Sequence, residues 1–270
     1  MSWWLILVLS LFLLWLLCMI ESPLQYTAKM TMFGVIFLGL ALLTLPIGLL
    51  RPFNPENHKV LAWIVPYLNI YLLGISVEVR DGHNTKLNRP FVLLLNHQSA
   101  IDSVIMMHIW PDRCVTMMKR VLIYIFPFSI TASLFGCVFI NRTNKNQAMS
   151  VLEHAGRELN QRKLQFCMFP EGTRNRSSNT LLPFKKGAFN LAVGAKVPLV
   201  PAVMSCYTNF YDKKANKFTH GKVILTVLPP VETTGKEYSD VPELSESVRQ
   251  SMIEVYQKTS KEMNPNFKEE

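Results

Sequence analysis

Apolar positions come first in long unbroken blocks and then in short alternating runs. Residues 3–20, WWLILVLSLFLLWLLCMI, carry no charge, and a second uncharged stretch, MTMFGVIFLGLALLTLPIGLL, fills 30–50. As a helix the first is ~27 Å long, close to the thickness of a hydrocarbon core. It has no basic start and no small-residue cleavage site, and the second stretch follows at once. The pattern therefore predicts two retained membrane helices over 1–50, as a hairpin or a pair of anchors, rather than a cleaved leader. Trp3 and Trp4 are placed to sit among headgroups. The run VLAWIVPYLNIYLLGIS at 60–76 is interrupted by Pro66 and Asn69, and 51–76 reads as an interfacial linker helix. A further uncharged block, VLIYIFPFSITASLFGCVFI at 121–140, is long enough to cross a bilayer but holds Pro127, Ser129, Thr131 and Ser133. A crossing there would also put the polar motifs on its two sides on opposite faces. It is expected to be a helix in the core or the interface, followed by a strand.

Over 77–270 the pattern alternates between periods of two and of 3.6. ISVEVRDG and RPFVLLLNH read as strands with a turn between, and 99–109 as a helix. CVFINR is a strand, 146–160 a helix with Met149, Leu152 and Leu159 toward one face, and KLQFCMFPEG a strand stopping at Pro-Glu-Gly. The helix KGAFNLAVGA, the strands VPLVPAVM and GKVILTVLPPV, and an amphipathic helix over 242–262 complete the order. This succession predicts one α/β domain, a mixed or largely parallel sheet flanked by helices. The prolines of VPLVP mark that strand as an edge or a fixed turn.

Composition sharpens this picture. Of 270 residues 49% are hydrophobic and only 17% charged, below the ~25% of ordinary soluble domains, so too few charges remain to cover a freely soluble surface. The net charge of +9 is uneven: the first fifty residues hold only Glu21 and Lys29, the segment 237–270 is acidic, and the middle is strongly basic. A basic middle fits a polyanionic partner, whether a phosphorylated small molecule, an anionic lipid or nucleic acid. Nucleic acid is not expected, since no RNA-binding aromatic signature is present and such a protein has no need of membrane segments. The cysteines form no CxxC and have no His at zinc-finger spacing. They read as reduced, packed thiols, and no metal site is expected.

Four segments could carry chemistry. In Asn96-His97-Gln98-Ser99-Ala100-Ile101-Asp102 a His at a strand end could act as general base, with Asp102 fixing its tautomer if His97 lies in the turn and Asp102 in the first helical turn. Ser99-x-x-Asp102 also matches a capping box, so Asp102 could instead serve the helix start. GCVFINR ends an apolar strand in Arg142, which could equally be a solvated strand end. In FPEGTR, Gly172 permits a tight turn that exposes backbone amides, and Arg174, Arg176, Lys185 and Lys186 follow. That combination suits a phosphate, although clustered charges are more often only solvated. No GxSxG elbow is present and no Cys sits beside a candidate base, so a covalent enzyme intermediate is not indicated.

In this order and spacing the segments resemble the glycerolipid acyltransferase family that includes 1-acylglycerol-3-phosphate acyltransferases. NHQSAID is similar to its His-x4-Asp motif, GCVFINR to its second block, FPEGTR to its third and VPLVPA to its fourth, with Ala202 where members often carry Val. The resemblance spans about 80–225. It implies transfer of an acyl chain from acyl-CoA, a co-substrate with no further cofactor, to the sn-2 hydroxyl of lysophosphatidic acid, giving phosphatidic acid. His97 would take the hydroxyl proton and Asp102 would orient the imidazole. Arg142, Glu171, Gly172, Thr173 and Arg174 match the substrate-binding positions, with Lys119 where the family often has a basic residue. Glu171 would hold Arg174 or Arg142 in place, or bind a glycerol hydroxyl. Glycerol-3-phosphate or another lysophospholipid is the alternative acceptor, and a non-catalytic lipid-binding membrane protein the alternative role. The resemblance further implies an endoplasmic reticulum membrane protein with its catalytic domain in the cytosol. Arg51 and Lys59, just after the second hydrophobic stretch, point the same way. The sequons at Asn141 and Asn175 are expected to carry no glycan in active protein.

Overall fold

The computed structural model describes residues 3–140, 145–175 and 179–267. Helices α1 (Trp3–Met19) and α2 (Gln25–Leu50) form a hairpin, and α3 (His58–Leu68) continues through a π turn, 69–73, into strand β1 (Ile75–Arg80). Then follow β2 (Phe91–Leu95), α4 (Asp102–Ile105), β3 (Cys114–Lys119), α5 (Phe128–Leu134), β4 (Val138–Ile140), α6 (Lys145–Gln161), β5 (Gln165–Met168) and α7 (Gly187–Ala195). The chain closes with β6 (Leu199–Met204), a small β7–β8 ribbon (Tyr211–Asp212, Lys217–Phe218), β9 (Gly221–Val227) and α8 (Val241–Met263).

The main sheet has the order β1-β9-β6-β2-β5-β3-β4. Every pair is parallel except β6 with β9. It is the expected mixed, mostly parallel sheet with helices on both faces. Each residue of β2 is fully buried, and its alternate side chains enter two cores. Phe91, Leu93 and Leu95 join Val200, Ala202 and Met204 with Ile101 and Ile105 on one face, and Cys18, Ala28, Met32 and Ile36 of the hairpin belong to that same core. Val92 and Leu94 face the other way, onto a core built with α6, α7 and α8. All five cysteines are buried and free.

Several expectations need correction. The strands 75–80 and 91–95 are not neighbours, because β9 and β6 lie between them. The helix expected over 99–109 is a four-residue α4 followed by a 3-10 turn, Met106–Ile109. Strand β3, CVTMMK between Pro111-Asp112-Arg113 and Arg120, was not among the expected strands. VPLVPA is no edge: β6 lies inside the sheet. Pro201 is tolerated there because its carbonyl accepts Leu228 N at 2.8 Å just beyond β9, whose ladder with β6 begins only at Ala202. The N–H that proline lacks would point to that same irregular side. Finally, Lys29, just before the second uncharged stretch, lies inside α2, buried with Nζ 5.1 Å from the centroid of Phe218.

The block 121–140 is, as expected, no crossing helix. A 3-10 turn (Arg120–Tyr124) leads into α5 and then β4. Its first part is exposed, with Tyr124 and Phe126 uncovered, while α5 packs along α2. There Phe37 meets Phe128 with ring centroids 4.5 Å apart, and Thr131 Oγ1 donates to Ala41 O at 2.8 Å.

Candidate active site

The parallel register brings the separate sequence segments to one edge of the sheet. Leu94 pairs with Met168 and with Pro201, and Thr116 pairs with Cys167. The carboxyl ends of β2, β5, β6 and β3 therefore open on the same side, where ligands commonly bind in open α/β sheets. His97 leaves β2, the Phe169–Arg174 turn leaves β5, Lys119 closes β3, and Tyr207 follows β6. Arg142 and Asn141 lie outside the described residues.

The turn after β2 is held before any chemistry is considered. Asn96, fully buried, donates Nδ2 to Met204 O at 2.9 Å and accepts Met204 N on Oδ1 at 2.8 Å. Gln98 Nε2 reaches Met204 O and Ser205 O at 3.1 and 3.0 Å. The end of β2 is thus bolted to the end of β6, and His97 is turned out of the sheet. Its ring stacks on Phe169, centroids 4.1 Å apart and planes 24° from parallel.

Asp102, the first residue of α4, is wholly buried. Its Oδ2 lies 2.7 Å from His97 Nδ1 and accepts the backbone N–H groups of Gln98 and Ser99 at 2.7 and 2.9 Å. Its Oδ1 accepts the hydroxyl of Tyr207. The carboxylate therefore both orders the turn and holds the imidazole. The two readings of this segment are two uses of one side chain: the half of the capping box in which Asp102 accepts Ser99 N is present, while Ser99 Oγ accepts Ile101 N at 3.1 Å rather than the N–H of Asp102. With Nδ1 engaged, Nε2 of the partly exposed ring has no hydrogen-bond partner among the described residues.

Glu171 is buried and bonds no arginine among the described residues. Its two carboxylate oxygens accept His97 N at 2.7 Å and Leu182 N at 3.1 Å. Burial pushes its pKa up to about 7, against the pull of those two N–H groups. Gly172 adopts a positive φ of 69°, and an added Cβ would fall 2.8 Å from Cδ of Lys185, which lies across the turn. Thr173 and Arg174 are exposed beyond it. The charge of Arg174 reaches Tyr211, whose hydroxyl is pushed up to about 12, by burial first and then by the neighbouring Tyr26. Asn175 is buried, its N bonded to His97 O at 2.7 Å and its Nδ2 to Thr180 O at 2.5 Å. A glycan would need that nitrogen. Lys119 is exposed at the end of β3. Among the described residues no group of three or more His, Cys, Asp or Glu is placed to hold a metal ion.

Asn96, Gln98, Phe169 and Tyr207 were not singled out from the sequence. The first three lie inside or beside the recognised segments. Tyr207 is more than a hundred residues from the carboxylate it touches, and no local pattern could have indicated it.

The site thus holds a buried carboxylate orienting an imidazole whose other nitrogen is open, beside a glycine turn and a cation, an arrangement chemically able to take a proton from a hydroxyl. Residues 76–205 match the Acyltransferase family model, which sets the class of the protein. The 1-acyl-sn-glycerol-3-phosphate acyltransferase alpha of Mus musculus is 41% identical over 89% of this chain and 84% of its own length. The beta form of Homo sapiens is 35% identical over 98% and 96%. The chain belongs to the 1-acyl-sn-glycerol-3-phosphate acyltransferase family. The crystal structure of the LPA acyltransferase PlsC from Thermotoga maritima shares its fold, with a TM-score of 0.66 over 89% of this chain and 95% of that one at 22% identity.

Proposed function

We propose that this acyltransferase moves a fatty acyl group from acyl-CoA to the sn-2 hydroxyl of 1-acyl-sn-glycerol-3-phosphate, forming phosphatidic acid. The observation that carries this reading is the open Nε2 of His97, with Nδ1 fixed 2.7 Å from Asp102 at the carboxyl edge of the sheet. Nε2 takes the proton of the acceptor hydroxyl as its oxygen attacks the thioester carbonyl. The tetrahedral intermediate collapses, the C–S bond breaks, and CoA leaves as a thiolate that the imidazolium can protonate. General-base assistance of this kind contributes ~10²–10⁴ in rate, and holding the two substrates together supplies much of the remainder. Arg174, on the turn made possible by Gly172, is the described cation best suited to the acceptor phosphate, because its fork can make two parallel bonds.

The same reading places the enzyme on a membrane, its site facing cytosolic acyl-CoA at the endoplasmic reticulum. Helix α2 is long and apolar enough to cross a bilayer, yet it touches the domain through Tyr26 and Lys29 near one end and Gly48 at the other. A helix held at both ends lies along its domain. This favours a hairpin embedded in one leaflet, with the site at the lipid surface where a lysolipid acceptor resides.

Purified protein in detergent, labelled acyl-CoA and a panel of acceptors test the activity. Lysophosphatidic acid is expected to be acylated faster than glycerol-3-phosphate or other lysophospholipids. His97→Ala should abolish turnover. Asp102→Asn should lower it at least ~10²-fold while retaining a side chain that can order the turn. Near-normal turnover in either variant would overturn the general-base reading, and a preference for another acceptor would reassign the substrate.

A further inference from the structure

We infer that Tyr207 is a positioning residue for acyl transfer, its hydroxyl fixing the Asp102 carboxylate in the plane that aims Oδ2 at His97. The inference rests on the general-base reading of His97 and Asp102 and extends it to a residue on another strand.

The two oxygens of Asp102 are held very differently. Oδ2 accepts three donors, all from its own turn: His97 Nδ1, Gln98 N and Ser99 N. For Oδ1 the Tyr207 hydroxyl is the one donor among the described residues. The torsion that swings a carboxylate about its Cβ–Cγ bond is broad, so contacts at Oδ2 alone leave the plane free to rock. A second anchor at Oδ1 removes that freedom.

Tyr207 is built to be such an anchor. It is 2% exposed, and its ring packs against Phe210 and Tyr211 with centroids 5.7 and 6.1 Å away. Its oxygen also lies 2.8 Å from Ser99 Oγ, inside the turn it braces. Its backbone is held too, because the preceding residue, Cys206, donates its N–H to Ser260 Oγ at 2.7 Å. Burial, then the charge of Asp102, holds the phenol well above its ordinary pKa, so it stays a donor. The bond is also electrostatic: a phenol that donates to the carboxylate draws off part of the charge that would otherwise hold a proton on His97.

Tyr207→Phe removes one oxygen and keeps the ring. The expected result is a kcat lowered ~10-fold, the low end of what losing a supporting partner of an oriented imidazole costs in metal sites. KM for both substrates should stay within about twofold, because no substrate contact is lost. The acid limb of kcat/KM against pH should move up by ~0.5 unit, since the freed carboxylate charge holds the imidazolium proton more tightly. Other titratable or charged groups around the pair are Glu171, Tyr211, Tyr256, Arg174 and, through Glu171, Arg249. All of them remain in the variant. 3-Fluorotyrosine at position 207, a stronger donor of nearly the same shape, should move the limb the other way. It decides the matter should Tyr207→Phe fold poorly.

A double-mutant cycle with Asp102→Asn separates the possible failures. If Tyr207 acts through Asp102, adding Tyr207→Phe to Asp102→Asn costs less than about twofold. Equal losses in both backgrounds, or a limb unmoved by either change at position 207, would overturn the positioning role and leave a packing one. Near-normal kcat in Asp102→Asn itself would instead sink the general-base reading on which the inference stands.

Discussion

Glu171 sits in the motif that the family resemblance assigns to substrate, yet both of its oxygens serve the main chain beneath His97. Its carboxyl is raised from an ordinary value of 4.5 to about 7, chiefly by burial. The consequence for stability has a definite sign. Between those two values the unfolded chain is ionised while the folded one still binds the proton, so stability falls as pH rises through that window. The loss amounts to about 3 kcal/mol and is complete above pH 7, since each tenfold difference in proton affinity is worth about 1.4 kcal/mol. Glu171→Gln cannot ionise and escapes this loss. Thermal unfolding in detergent should show the Gln variant gaining on the wild type between pH 4.5 and 7. Its activity should nevertheless be lower at pH 7.5, because an amide has one acceptor where two N–H groups need one each. A stability difference that does not change with pH would mean that the folded protein carries the charge already at pH 5.

At the scale of elements, the contact between α2 and α5 decides whether the hairpin is part of the domain. Three glycines interrupt α2, and they are not equivalent. A Cβ on Gly34 or Gly39 would meet nothing within 4 Å, while one on Gly48 would come within 2.9 Å of Leu134 Cβ and 3.3 Å of Phe135 Cε1. Replacing a mid-helix glycine by alanine gains up to about 1 kcal/mol of helix propensity. At Gly48 the clash is with an atom fixed to the α5 backbone, so overpacking of about 1–3 kcal/mol outweighs the gain. Gly48→Ala should therefore lower the melting temperature, whereas Gly34→Ala and Gly39→Ala should hold or raise it. Equal behaviour of the three would mean that α2 stands away from α5 in solution.

At the scale of the whole molecule, many of the exposed apolar residues fall on elements that adjoin one another. Trp63 and Tyr67 of α3, Tyr71 of the following turn, Tyr124 and Phe126 before α5, and Leu42, Leu43, Leu49 and Leu50 of α2 are all uncovered. Helix α2 packs on α1, α3, α5 and the 69–73 turn, and α5 packs on the 120–124 turn. A surface of this kind is stable against lipid and unfavourable in water. Because the five native cysteines are all buried, a single new cysteine can carry an environment-sensitive dye. A dye at Trp63→Cys or Phe126→Cys should shift to the blue when the protein enters vesicles, and one at Glu254→Cys on α8 should not. A dye as wet at 63 and 126 as at 254 would confine the membrane contact to the hairpin and overturn the one-leaflet arrangement.

The class of the fold, the succession of most helices and strands, and the His97–Asp102 pair were legible along the chain, because hydrophobic period, proline and glycine placement and short motifs are local properties. His97 and Asp102 were legible since both ends of their contact lie within one turn. Which strands are neighbours emerges only on folding, since parallel pairing is set by crossovers and not by local text; hence VPLVPA, read as an edge or a fixed turn, is an interior strand. The fold alone shows that Glu171 spends its charge on main-chain amides, that Lys29 is sealed in α2 against Phe218, and that Tyr207 reaches Asp102 across 105 residues. Each of these depends on where a side chain ends after the chain has folded back on itself, and long-range placement leaves no periodic trace in the sequence.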